Sequence, residues 1–203
     1  MTAVIATADV MAATRSGGSA SLVWTTLDGK DVGLLFEVDR SEHRRRVDLG
    51  VGAVGSRRLL HALWELPGAV AWPVDATDPV DVATLEADGA GFVDIDHNTI
   101  TRLYEPAGAV RAVVVVRSRL ADAVRSASLM PPIFHRLAVA TLQAGVAEAV
   151  ACARSVGVGA AVCTASELDL RVAPAEPMLG VPGVYRWWLA EVAYQGWCQT
   201  NAH

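Results

Sequence analysis

The apolar positions of this chain come in short runs whose spacing changes from segment to segment, separated by Gly, Pro, Asp and Asn. Residues 21–27 and 32–39 are rich in β-formers and flank Asp28-Gly29-Lys30. An Asp-Gly pair supplies the positive φ angles of a tight turn, so the two runs are predicted to pair as a hairpin. Residues 92–96 and 99–104 alternate apolar and polar side chains around His97-Asn98, the period-two pattern of a second hairpin with one wet face. Residues 109–116 do not alternate. Their four consecutive valines lie between Arg111 and Arg117, and such a run reads as a central strand covered on both faces. Residues 160–164 add a further short strand.

Helical spacing governs the segments between. Ser56 is placed to cap a helix that runs to Leu66 and is stopped by Pro67-Gly68. Asp78-Pro79 opens a second helix through Ala87, with Asp78 as cap and Pro79 as first helical residue. Residues 119–127 form a short helix, and Pro131-Pro132 forces a break after it. From residue 134 to residue 156 the polar positions are few and scattered, so this segment is expected to be one long helix enclosed by protein on nearly every side. Gly157 or Gly159 supplies its left-handed C-cap. Pro174, Pro177 and Pro182 mark an irregular stretch, and residues 185–197 close the chain as an aromatic-rich amphipathic helix. The expected architecture is α/β (α+β), a central sheet around the buried long helix. It forms one domain over residues 21–203 with a sub-boundary near residues 106–110, preceded by a flexible N-terminal segment, residues 1–20.

Composition narrows the functional classes. Hydrophobic residues make up 52% of the 203 positions and charged ones only 19%, which points to extra buried surface such as an oligomer interface. A net charge of -5 gives no global field that would draw nucleic acid or an anionic membrane. Cys152, Cys163 and Cys198 are odd in number and far apart, unlike a disulfide framework or a zinc site, and are read as buried thiols in a reducing cytoplasm. Residues 1–13 lack the basic start of a signal peptide, and Gln143 and Glu148 interrupt the most apolar later stretch, so neither secretion nor a membrane span is expected.

Asp94, Asp96 and His97 have the chemistry of a divalent-cation site, but their alternation with Phe92, Val93 and Ile95 makes them the solvent side of a strand and its turn. No metal site is assigned, and no nucleophile signature gives a catalytic residue. His135-Arg136 stands at the mouth of the expected long helix, where a structural task outweighs a ligand. Six arginines lie between Arg40 and Arg58, and guanidinium groups bind phosphate bidentately; the alternative is a solvated loop. Trp187, Trp188 and Trp197 are expected to pack into the core and a subunit interface.

Phe134-His135-Arg136-Leu137, followed by the Ala-rich stretch from Leu142 to Gly157-Val158-Gly159, resembles the central helix of the flavin-dependent nitroreductase fold, which ends in a Gly-Leu-Gly-like turn. The Val-rich strand before it and Glu176-Pro177-Met178-Leu179-Gly180 after it are similar to the same family, in particular to its azoline dehydrogenase branch in peptide maturation. Arg40-Ser41-Glu42-His43-Arg44 is similar to the family's Arg-Ser-x-Arg opening, with one residue more. The resemblance implies an FMN-dependent oxidoreductase acting on a peptide or small molecule, a homodimer or hetero-oligomer with FMN at the interface. Arg40, Ser41 and Arg44 would hold the flavin phosphate, with Gly157 and Gly159 beside the cofactor. Where the family carries Gln-Asn in its central helix, Ala147 and Glu148 stand here, which suits a non-catalytic partner subunit of a larger complex as well as an enzyme.

A rival arrangement uses the first half differently. The helices at residues 56–66 and 78–87 and the hairpin at residues 92–104 make a winged helix with His97-Asn98 at the wing tip, and the second half then serves dimerisation. The acidic balance turns that arrangement away from DNA and toward a regulatory or peptide-binding protein.

Overall fold

A computed structural model describes residues 5–16, 18–164, 167–178 and 183–201. They form two compact units, each discontinuous in sequence: Met1–Glu37, Val110–Val181 and Gly196–His203 in the first, Val38–Ala109 and Pro182–Gln195 in the second.

The first unit is built on a six-stranded mixed sheet. Strands β1 (Ser21–Leu27) and β2 (Lys30–Val38) pair antiparallel through Asp28 (φ 48°) and Gly29 (φ 73°), the left-handed pair the Asp-Gly turn requires. Strands β3 (Gly108–Arg117), β4 (His135–Ala140) and β5 (Gly159–Cys163) run parallel, and β6 (Leu168–Val172) closes the far side antiparallel to β5. The order across the sheet is β1-β2-β3-β4-β5-β6. Val113, Val114 and Val115 are buried, as a strand covered on both faces demands. Helix α1 (Thr7–Thr14) covers one face: Ile5, Val10 and Ala13 cluster with Leu35, Val114, Leu137, Val139 and Ala161. The crossover helices α5 (Leu120–Ser128) and α6 (Val146–Ser155) pack against each other and against the parallel strands.

The enclosed long helix expected at residues 134–156 is not there. Its first third is strand β4, paired with β3 from Ala112↔His135 to Arg117↔Ala140. Residues 141–145 form an exposed connection, and only Val146–Ser155 is helical, buried at Ala149 and Ala153 alone. A short apolar run such as Leu137-Ala138-Val139-Ala140 has no period of its own, so a strand covered on both faces and a buried helix look alike in sequence. Pairing between two neighbouring strands decides for the strand, and left-handed Gly145 (φ 69°) separates it from the helix. The mixed α/β character stands, but not as a sheet wrapped around a helix. The N-terminal segment expected to be flexible contains α1, anchored by fully buried Val10.

The second unit holds the arginine run, which forms helix α2 (Arg40–Leu49) rather than a loop, followed by α3 (Arg57–Glu65). A strand at Ala71–Pro73 (β7), a single 3-10 turn, helix α4 (Pro79–Asp88) and the hairpin Val93–Asp96 (β8) and Thr99–Arg102 (β9) complete it. These three strands form an antiparallel sheet in which the first pairs with the last, β7-β9-β8. Ser56 caps α3 through the Leu59 N–H, and Asp78 caps α4 through the Val80 N–H with Pro79 at its first position, as their sequences require. The amphipathic α3 turns Leu59, Leu60, Ala62 and Leu63 into a core shared with Leu85, Phe92, Ile100 and Tyr104. The closing helix α7 (Gly183–Asn201) gives residues 183–195 to this unit and the rest to the first. Trp187 and Trp188 pack on this core, Trp187 against both Trp64 and Tyr104.

Candidate functional site

The densest polar chemistry lies on α2. Asp39, extended and just ahead of the helix, accepts the N–H groups of Ser41 and Glu42 and the Ser41 hydroxyl. The hydroxyl and then the two amides hold the Asp39 carboxyl below its ordinary range. One turn on, Glu42 faces burial, which opposes its charge, but Arg45 and Arg46 grip it at 2.7 Å each and hold it ionised below the usual carboxylate range.

Arg46 is fully buried and uses all five of its N–H donors. Nε reaches Glu42 at 2.7 Å, the two terminal nitrogens take Glu191 bidentately at 2.7 and 2.9 Å, and the backbone carbonyls of Gly52 and Glu105 receive the rest. The rings of Phe92, Tyr104 and Tyr194 surround the guanidinium with centroids 5.1 to 5.5 Å away. Burial works against the cation, yet the two carboxylates outweigh it and hold its pKa above the ordinary arginine range. Glu191 also accepts the Val54 N–H and the Tyr104 hydroxyl, each at 2.8 Å. Burial, and then the Glu191 charge, pushes the Tyr104 phenol far up, so it stays a donor. All five Arg46 N–H groups are spent within the unit, and each Glu191 oxygen accepts two donors there. The cluster pins α2, α7 and the segment before β3.

The residues expected to cradle a flavin phosphate do not make a cradle. Arg40, Ser41 and Arg44 occupy the first turns of α2 with Arg40 and Arg44 exposed, but the amides there already bind the Asp39 carboxylate, which would repel a phosphate. Gly157 (φ 65°) ends α6 in the left-handed conformation, and Gly159 is needed for space, since a Cβ there would lie 2.9 Å from the Pro174 backbone nitrogen. Both glycines serve chain packing. Of the Glu176 to Gly180 likeness, Leu179 and Gly180 lie outside the described residues.

His135 and Arg136 open a strand rather than a helix. Arg136 donates to the Val156 carbonyl at 2.7 Å, bonding the last turn of α6, and burial lowers its pKa. Asp94 and Asp96 are exposed on β8, with Asp96 accepting the His97 amide in the turn, and no group of three metal-ligating side chains occurs among the described residues. Cys152 is exposed rather than buried, and Cys163 and Cys198 are half-buried, all three unpaired.

Sequence reasoning passed over two features. Glu191 is the single carboxylate of α7 and stands in its apolar stretch Trp187–Ala193, a pattern that announces a buried pair. Residues 59–101 contain Glu65, Asp75, Asp78, Asp81, Glu86, Asp88, Asp94 and Asp96 and no Lys or Arg. All but Asp81 are exposed, and Val70, Trp72, Val80 and Ile95 are exposed among them. The next cation, Arg102, turns inward to the carbonyls of Leu63 and Leu66. The α4 and hairpin surface is therefore anionic and apolar together.

Acid should loosen α2. Both Asp39 and Glu42 are depressed in the folded state, so their stabilisation is complete above the unfolded carboxylate values and is lost as pH falls through the folded ones. Melting temperatures recorded from about pH 6 to about pH 3 should fall toward the acid end, and less so in Asp39→Asn/Glu42→Gln. Asp39→Ala should cost about 1 kcal/mol at neutral pH through loss of the cap.

No family model, curated protein or solved structure matches the chain. Among the described residues no helix is long and apolar enough to cross a membrane.

Proposed function

We propose that this chain is a non-catalytic binding protein, a regulatory or partner subunit, whose second unit docks a basic peptide or protein segment on the α4 and β8–β9 surface. The observation that carries this reading is the run from residue 59 to residue 101, eight exposed or half-exposed carboxylates with no cation among them, interleaved with Trp72, Val80 and Ile95. Carboxylates steer and select a cationic partner, and the apolar side chains supply contact area. The order of α3, β7, α4 and the β8–β9 hairpin, with the first strand pairing with the last, supports a winged-helix-like unit. Its helix and wing carry the wrong charge for a DNA backbone, so this unit is a protein-docking version of that arrangement.

The test uses the full chain and a fluorescent peptide of alternating Arg and Leu. Binding in the micromolar range is expected, weakening about tenfold or more between ~50 and ~200 mM salt, and weakening comparably in Glu86→Lys/Asp94→Lys. Duplex DNA should not compete. Binding indifferent to both salt and the double substitution, or displacement by DNA, overturns the reading. The flavin-linked alternative rests on the nitroreductase resemblance and has no phosphate cradle in its support; purified protein absorbing at about 450 nm would restore it.

A further inference from the structure

The two sheets have four edge strands among the described residues, and three are guarded. β6 carries Asp169 and Arg171 and a register shift opposite Ala160/Ala161, β7 has only three residues and ends in Pro73, and β8 carries Asp94 and Asp96. Charges, bulges, prolines and shortness are the devices that stop an exposed edge from recruiting another strand. Strand β1 has none of them. Its seven residues, Ser-Leu-Val-Trp-Thr-Thr-Leu, include no charge and no proline, and its register with β2 is unbroken from Ser21↔Phe36 to Leu27↔Lys30.

At the middle of this edge stands Trp24, 47% exposed. It lies over Gly33 of β2, where an added Cβ would meet the indole at 3.3 Å, so the neighbouring strand is built to seat the ring while half of it faces water.

We infer that β1 is a self-association edge, pairing antiparallel with β1 of a second copy about a two-fold axis through Trp24. An edge without charge selects a strand without charge, of similar length and rich in β-branched and aromatic residues, and β1 itself fits that description. Centred on Trp24, the pairing sets Trp24 against Trp24, Val23 against Thr25, Leu22 against Thr26 and Ser21 against Leu27, so the central pairs join aromatic and β-branched residues and no charge is buried. An isologous contact of this kind closes on itself and leaves the sheet with only its guarded β6 ends. It also gives the 52% hydrophobic composition a surface to cover. The inference is independent of the docking surface on the second unit.

Light scattering after size exclusion, from about 1 to about 100 µM, should give a mass near twice the 21.4 kDa protomer at the upper end. Trp24→Lys and Trp24→Glu should each be monomeric, because like charges face each other across the axis. An equal mixture of the two should regain a dimer holding one copy of each, which only a symmetric register centred on residue 24 produces. On the wild-type chain, amide-exchange protection at residues 21–27 should rise with protein concentration. A monomeric wild type throughout, single variants that stay dimeric, a mixture that stays monomeric, or exchange at residues 21–27 independent of concentration overturns the inference.

Discussion

Arg46→Met should destabilise the second unit by about 3–5 kcal/mol, a large share of the stability of a small domain. The methionine fills most of the volume between Phe92, Tyr104 and Tyr194. The loss is electrostatic: Glu191, with no exposed surface, keeps only the Val54 amide and the Tyr104 hydroxyl, and Glu42 keeps only Arg45. A carboxylate stranded this way takes up a proton, so the variant should lose more stability at pH 8 than at pH 5, the reverse of the wild-type trend from Asp39 and Glu42. Urea unfolding followed by circular dichroism at the two pH values measures both effects. Adding Glu191→Gln to Arg46→Met should cost less than the two single losses combined, because the uncompensated charge is gone. If Arg46→Met unfolds like the wild type, the buried cluster is not what holds α2 to α7.

The second large effect is expected at Leu137→Ala, with a loss of about 2–5 kcal/mol. Leu137 is fully buried in the middle of β4, packed with Val114, Val139 and Ala161 under α1. Its δ carbon also lies 3.0 Å from where a Cβ on Gly159 would stand, so the space it leaves is walled by rigid strands and cannot collapse easily. Five residues on, Leu142 is 53% exposed, and Leu142→Ala should change stability by no more than about 0.5 kcal/mol. A continuous buried helix over residues 134–156 would make both substitutions costly, so thermal melts of the pair separate the strand-and-loop arrangement from that one.

The contrast between these positions shows what was legible in the sequence. Both hairpins and helices α3 and α4 announce themselves because their signals are local: Asp28-Gly29 sets a turn, Ser56 and Asp78 set caps, and Pro79 cannot stand deeper in a helix. The Val-rich strand β3 is equally plain. Strand β4 is not, because Leu137-Ala138-Val139-Ala140 has neither an alternating period nor many β-branched residues, and its identity comes from β3 and β5 on either side. Helix α2 was hidden by its arginines, which suggested a solvated loop or a phosphate site. Once the segment is helical, Glu42 falls one turn before Arg45 and Arg46, and two of the six arginines turn inward. Glu191 lies 145 residues from Arg46, a separation no local pattern bridges. The anionic surface, by contrast, needed only a count of charges between Arg58 and Arg102.

That separation also governs the order in which the protein can be completed as it leaves the ribosome. At about 5–20 residues per second, roughly 7 to 30 seconds pass between synthesis of Arg46 and arrival of Glu191. During that interval the nascent second unit has α2, α3, α4, its hairpin and two rings of the cage, Phe92 and Tyr104, but neither Tyr194 nor the carboxylate that lets an arginine sit inside it. The cage cannot close around its cation until α7 has emerged, so α7 works as a latch, and a ribosome stalled before it would leave α2 unfastened.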